Sequence, residues 1–152
     1  MKKVFRILLL LLVVFITATG TERNEEYFNM EVREDKLLYK KEESKPYTGI
    51  VSVSEGDKII KKQVYNEGKL NSEKGYHENG TIKWESTGYK DGKLDGISRI
   101  YYDSGQLKME TNYKDGEKDG MEKGYQENGK IIAELNYKKD CLHGTSGSLS
   151  IK

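Results

Sequence analysis

The 152-residue sequence predicts an all-β protein, an elongated single-layer antiparallel meander of β-hairpin repeats about 24 residues long. Three observations predict it. Glycine closes a turn-like pair about every twelve residues, at Glu67-Gly68, Asn79-Gly80, Asp91-Gly92, Ser104-Gly105, Asp115-Gly116 and Asn128-Gly129. Tyr65, Tyr89, Tyr113 and Tyr137 precede every second turn at a constant separation of 24 residues. Between turns, apolar and polar residues alternate. Asn-Gly and Asp-Gly pairs accept the positive φ angles of tight hairpin turns. Two turns per tyrosine period therefore mean one hairpin per repeat.

At the N-terminus, Lys2, Lys3 and Arg6 precede an apolar run from Ile7 to Ile16, followed by Thr17-Ala18-Thr19-Gly20. A basic start, a short apolar stretch and small residues two apart form a signal-peptide pattern over residues 1–20, with cleavage near Gly20. An uncleaved anchor is the weaker alternative, because the run falls short of the roughly 20 residues a spanning helix needs. No cysteine adjoins the run for lipoprotein attachment. The expectation is export to the periplasm, cell envelope or exterior. Residues 21–45 read as a charged leader, flexible over TERNEE, and then a capping hairpin. Phe28, Met30 and Val32 alternate with polar residues before Glu34-Asp35-Lys36 leads into Leu37-Leu38-Tyr39.

The array occupies residues 46–152, with units near 49–71, 72–95, 96–119, 120–143 and a partial unit at 144–152. The third unit reads GISRIYYDSGQLKMETNYKDGEKD and the fourth GMEKGYQENGKIIAELNYKKDCLH. Leu107, Met109, Thr111 and Tyr113 point to one side, and Lys108, Glu110 and Asn112 to the other; Ile131, Ala133, Leu135 and Tyr137 repeat the pattern. Such alternation marks half-buried strands. The second unit loses one residue before Tyr76 and gains one near Ser86-Thr87-Gly88, which predicts a β-bulge. Turn spacings of 13 and 11 rather than 12 are traced to that exchange. Gly144 to Lys152 supplies at most one further strand, with an exposed edge that a partner strand can extend.

Composition narrows the function. Removing residues 1–20 takes away three of 26 basic residues and none of 25 acidic ones, leaving a net charge of −2. Nucleic-acid binding needs a basic footprint that this balance does not supply. Only about 30% of the remaining residues are apolar, low for a closed core, so each unit must bury itself against its neighbour. The single cysteine, Cys141, stands for the glycine expected in the Lys139-Asp140 turn and reads as a tolerated substitution. His77 and His143 are the only histidines, each in a turn-side position of a repeat, and they read as neither metal ligands nor bases. Glu85, Glu110 and Glu134 should align across the sheet as a carboxylate ladder, neutralised by Lys83 and Lys108 two residues away on the same face. The Asp-Gly turns lack the ligand run of a calcium loop. Catalytic residues, metal sites, cofactors and a small-molecule substrate are all expected to be absent.

Units of the form Y-x-x-N-G-x-[LI]-x-x-E-x-x-Y-K-D-G-K-x-D-G resemble the bacterial variant of the MORN repeat. The resemblance runs from about Pro46 to Gly144 and is best over Tyr101 to Gly120 and Tyr125 to Gly144. The stretch LLYKKEESKPYTG, from Leu37 to Gly49, is similar to the lead-in of YwqK-type antitoxins. The resemblance implies a twisted single-layer sheet used for protein contacts, for membrane-associated scaffolding or, in the antitoxin type, for neutralising a partner toxin. MORN repeats also accompany phosphatidylinositol phosphate kinase domains. This sequence has no phosphate-binding glycine loop followed by Lys-Ser or Lys-Thr and no His-Arg-Asp or Asp-Phe-Gly motif, so no kinase activity is expected of it.

The function expected is a non-catalytic exported protein-binding module, antitoxin or immunity-like in kind. The partner is a toxin or an envelope component. The alternative is a cell-envelope scaffold or phospholipid-associated MORN module with peripheral membrane contact. The candidate binding face is aromatic: Tyr76, Trp84, Tyr101 and Tyr125.

Overall fold

A computed structural model describes residues 24–26 and 29–145. The expected signal segment, Phe28 and residues 146–152 lie outside the described residues. Twelve strands follow one another: β1 (Asn24–Glu26), β2 (Met30–Val32), β3 (Leu38–Lys40), β4 (Gly49–Glu55), β5 (Lys58–Asn66), β6 (Lys69–Tyr76), β7 (Ile82–Lys90), β8 (Lys93–Tyr101), β9 (Leu107–Lys114), β10 (Glu117–Tyr125), β11 (Ile131–Lys138) and β12 (Cys141–Thr145). β4 to β12 pair in sequence order as an antiparallel meander, so the predicted hairpin array is the fold. β1 adds to its first edge in parallel with β4, giving ten strands, while β2 and β3 form a separate hairpin. The TERNEE stretch expected as a flexible leader thus contributes a strand. Its charged composition hid this, because a three-residue edge pairing is made by backbone groups and leaves no side-chain pattern.

Two kinds of turn alternate. At Glu67-Gly68, Asp91-Gly92, Asp115-Gly116 and Lys139-Asp140 both residues have positive φ, between 48° and 88°, and two residues join the strands. That is the type I′ geometry that matches strand twist. At the opposite edge the β4–β5 turn has two residues, with a positive φ at Gly56 alone, and the later connections are five residues long, 77–81, 102–106 and 126–130, with one positive φ at Gly80, Gly105 and Gly129. Each five-residue connection is closed by the same pair of bonds; in the second, the Tyr102 amide donates to Gln106 O and the Gly105 amide to Tyr102 O, both at 2.8 Å. The two kinds place their glycines at different points of the turn. Spacings of 13 and 11 are therefore the regular alternation, and the second unit's 12 and 12 is the exception. Its β6 has eight residues where β8 and β10 have nine, and its β7 has nine where β9 and β11 have eight. The extra residue is the predicted bulge: pairing slips between Thr87 and Tyr89, around Gly88 at φ +87°. The alignment also corrects Cys141. Asp140, at φ +61°, holds the glycine position, and Cys141 begins β12.

The turns stitch consecutive hairpins together. The Gly116 amide donates to Leu94 O at 2.8 Å and the Asp140 amide to Lys118 O at 3.0 Å, each reaching back 22 residues. The Asp140 carboxylate returns a 2.7 Å acceptor to the Lys118 amide. At the five-residue edge, Asn79 Nδ2 donates to Asp103 O at 2.9 Å and the Tyr102 hydroxyl to Tyr125 O at 2.8 Å. Each unit thus holds the next by backbone acceptors as well as by the sheet ladder.

The apolar core is small and sits at one end. Leu38, Tyr47 and Val51 are buried together, with Met30 and Tyr65 packed against them, where the β2–β3 hairpin covers the first unit. Farther along, the buried side chains are Ser86, Thr111 and Glu122. A single-layer sheet with about 30% apolar residues can bury only its middle rows, and it fills them with hydrogen-bonded polar groups.

Candidate protein-binding faces

Strand register assigns every side chain of the meander to one of two faces. One row runs Gln63, Glu73, Ser86, Ser98, Thr111, Glu122 and Leu135. The row beside it on the same face runs Lys61, Gly75, Trp84, Ile100, Met109, Gly124 and Ala133. This face carries Trp84, Tyr89 and Tyr113. Its polar groups are tightly joined. Glu73 takes Lys61 Nζ at 2.6 Å, Gln63 Nε2 at 3.0 Å and the Tyr89 hydroxyl at 2.7 Å. Burial raises the Glu73 carboxyl, but the bonds from Lys61 and Tyr89 outweigh it and hold the group below the usual carboxylate range. Burial, and then the bond to Glu73, pushes the Tyr89 phenol far above its ordinary value. Glu122, 8% exposed, accepts from the Thr111 hydroxyl and Lys118 Nζ, and the Lys118 ammonium stands 4.7 Å over the Tyr137 ring.

The other face carries a row of charges: Lys62, Lys74, Glu85, Arg99, Glu110, Lys123 and Glu134. Arg99 lies between two carboxylates, with Nε 2.6 Å from Glu110 and Nη1 3.7 Å from Glu85, and Lys123 Nζ lies 3.3 Å from Glu134. The expected glutamate ladder is present, but its counterions differ. They come from the neighbouring strands, because a directly opposed side chain lies closer than one two residues along the same strand. Lys83 is exposed, and Lys108 Nζ instead stands 5.3 Å over the Tyr102 ring.

Tyr76, Tyr101 and Tyr125 each end a strand on this charged face. The Tyr101 hydroxyl donates to Glu85 at 2.6 Å. Burial first, and then that bond, raises its phenol to about 12. All three rings are half-buried. Trp84 is not with them. It pairs across the strands with Gly75, between Lys74 and Tyr76, and so lies on the opposite face, with Lys61 Nζ 5.6 Å from its ring. The four candidate aromatics are therefore divided three to one by the sheet. Strand parity was the available signal: Trp84 aligns with Met109 and Ala133, not with the strand-ending tyrosines.

The histidines take structural places. His77 Nδ1 lies 2.9 Å from Asp103 Oδ1 and Nε2 3.2 Å from Tyr101 O, joining two consecutive five-residue turns, while His143 is exposed on β12. Among the described residues no three His, Cys, Asp or Glu side chains are grouped to hold a metal ion.

No curated protein matches the chain. Among solved structures the chain is similar to one described as the crystal structure of the GtfA/B complex bound to UDP and GlcNAc. The identity is 11% and the TM-score 0.34, over 79% of this chain and 24% of that one. This chain spans about a quarter of that protein's length, and a likeness so loose carries no functional argument. Residues 94–115 and 118–139 match the family model described as the MORN repeat variant, which places the matches on hairpins β8–β9 and β10–β11. Those two hairpins are similar to MORN-variant repeats, a kind of module that generally binds proteins or membranes.

Proposed function

We propose that the chain is an exported, non-catalytic protein-binding module of antitoxin or immunity-like kind, and that it grips its partner with the charged, tyrosine-bearing face. The observation that carries this reading is the repetition of Tyr76, Tyr101 and Tyr125 at one strand position, beside a row of fixed charges on a sheet face that no other described residues cover. Half-buried tyrosines lose little conformational freedom on binding and present both a ring and a hydroxyl. Such residues are enriched where interfaces hold most of their energy. The bonded charges beside them give orientation and partner choice. The antitoxin-like role rests on the resemblance of the Leu37 to Gly49 lead-in, and export on the pattern of residues 1–20. Capture from native envelope fractions tests the reading. The mature chain should retain a discrete protein that a Tyr101→Ala, Tyr125→Ala variant loses and a Trp84→Ala variant keeps. Equal recovery by all three would overturn the face assignment. Salt-sensitive flotation with anionic liposomes, in place of protein capture, would favour a membrane module.

A further inference from the structure

One interruption breaks the charge row. From Glu85 to Glu134 the signs alternate, but Lys62 and Lys74 stand directly opposite each other on adjacent strands. Directly opposed like charges oppose strand pairing. Both lysines are half-buried, and neither makes an ion pair among the described residues, although Glu85 is opposite Lys74. That carboxylate is taken by Arg99 and Tyr101. A second Lys-Lys pair, Lys90 and Lys93, flanks a turn where both side chains are exposed to water. The half-buried pair adjoins an open groove through Lys62. Lys62 forms part of its wall, together with Ile59, Ile60 and Tyr76; Glu55, Asp57 and Glu78 stand exposed at its rim, and Lys58 Nζ is bonded to Glu78 O at 3.4 Å. Ile59 and Ile60 are 37% and 38% exposed and stand side by side, as Ile131 and Ile132 do on β11 at 45% and 48%.

We propose that the Lys62 and Lys74 pair with the adjoining groove receives an acidic, apolar segment of the partner protein, a carboxylate settling between the two ammonium groups and an aliphatic side chain against Ile59, Ile60 and Tyr76. The inference rests on the protein-binding reading and names the chemistry of the partner. A carboxylate between the lysines turns a like-charge contact into a charge-assisted one and continues the alternation of the row. The rim carboxylates select against a uniformly acidic ligand and favour one whose charge is central.

The test uses the mature chain and a fluorescein-labelled peptide with one central glutamate pair flanked by leucines. A peptide with lysine in place of glutamate and vesicles containing phosphatidylserine serve as parallel probes. Fluorescence anisotropy should report binding of the glutamate peptide alone, weakened by salt. The affinity should fall about tenfold or more in Lys62→Gln, Lys74→Gln and stay unchanged in Lys90→Gln, Lys93→Gln. Unchanged Trp84 fluorescence in both variants establishes that they are folded. Equal loss in the two double variants, no discrimination between the peptides, or binding of vesicles without binding of peptide would each overturn the inference. If envelope capture by the tyrosine face persists in that event, only the acidic-segment inference falls.

Discussion

Gly75 and Gly124 occupy the same place in the motif Lys-Gly-Tyr, yet alanine should act on them in opposite directions. Neither has a positive φ, so alanine's backbone preference favours both substitutions by about 0.5–1 kcal/mol. Their surroundings differ. A Cβ on Gly75 would lie 2.4 Å from Trp84 Nε1 and 2.7 Å from Cε2, whereas on Gly124 the nearest atom is Ala133 Cβ at 3.5 Å, an ordinary contact. To restore normal separation the indole must retreat by about 1 Å. Lys61, over the ring and tied to Glu73, resists that movement. Overpacking costs about 1–3 kcal/mol, which exceeds the backbone gain. Gly75→Ala should therefore destabilise by about 1–2 kcal/mol, while Gly124→Ala stabilises by about 0.5–1 kcal/mol. Urea unfolding followed by Trp84, the only tryptophan, measures both, and in a Trp84→Ala background, followed by circular dichroism, Gly75→Ala should no longer destabilise. Shifts of the same sign at the two glycines would refute the packing of Trp84 on Gly75 and with it the division of the aromatic residues between faces.

Gly88→Ala should cost about 2 kcal/mol or more in the same assay, because it forces a side chain to φ +87° with its Cβ 2.9 Å from Asp95 O. Lys62→Glu should raise stability by about 0.5 kcal/mol by restoring the alternation of charges through Lys74 and Glu85, and no gain would mean that the lysine pair is not strained. The Tyr101 phenol, raised to about 12 in the fold, contributes stability that is complete below the unfolded value near 10 and is lost as pH rises between the two; Tyr101→Phe should flatten that alkaline decline in urea midpoints. Glu73, held low in the fold, contributes above the unfolded carboxylate value of about 4.3 and ceases to do so as pH falls through its folded value, so Glu73→Gln should flatten the acid limb.

The hairpin array was legible because turn chemistry is local. Asp91-Gly92 and Asp115-Gly116 declare their backbone angles in two residues, and the Gly88 bulge showed as a one-residue insertion at constant repeat length. The two classes of turn were not distinguished, because Asn79-Gly80 has the composition of a type I′ pair while only its glycine adopts positive φ. The strand at Asn24–Glu26 had no side-chain signature to read. At the candidate face, Tyr76, Tyr101 and Tyr125 followed from repeat position. Trp84 was misplaced with them because its face is set by the opposed Gly75, a partner on another strand. The same limit applies to the counterions: Arg99 and Lys123 reach their glutamates across strands, so spacing along one strand pointed to Lys83 and Lys108 instead.

Site-specific photo-crosslinking tests the central claim most directly. A photoreactive phenylalanine analogue at position 101 or 125, in the mature chain mixed with native envelope material, should form one discrete protein adduct, and the analogue at position 84 should form none. Adducts of equal yield from both faces, or from position 84 alone, would contradict an account in which the tyrosine-bearing, charged face is the one that binds.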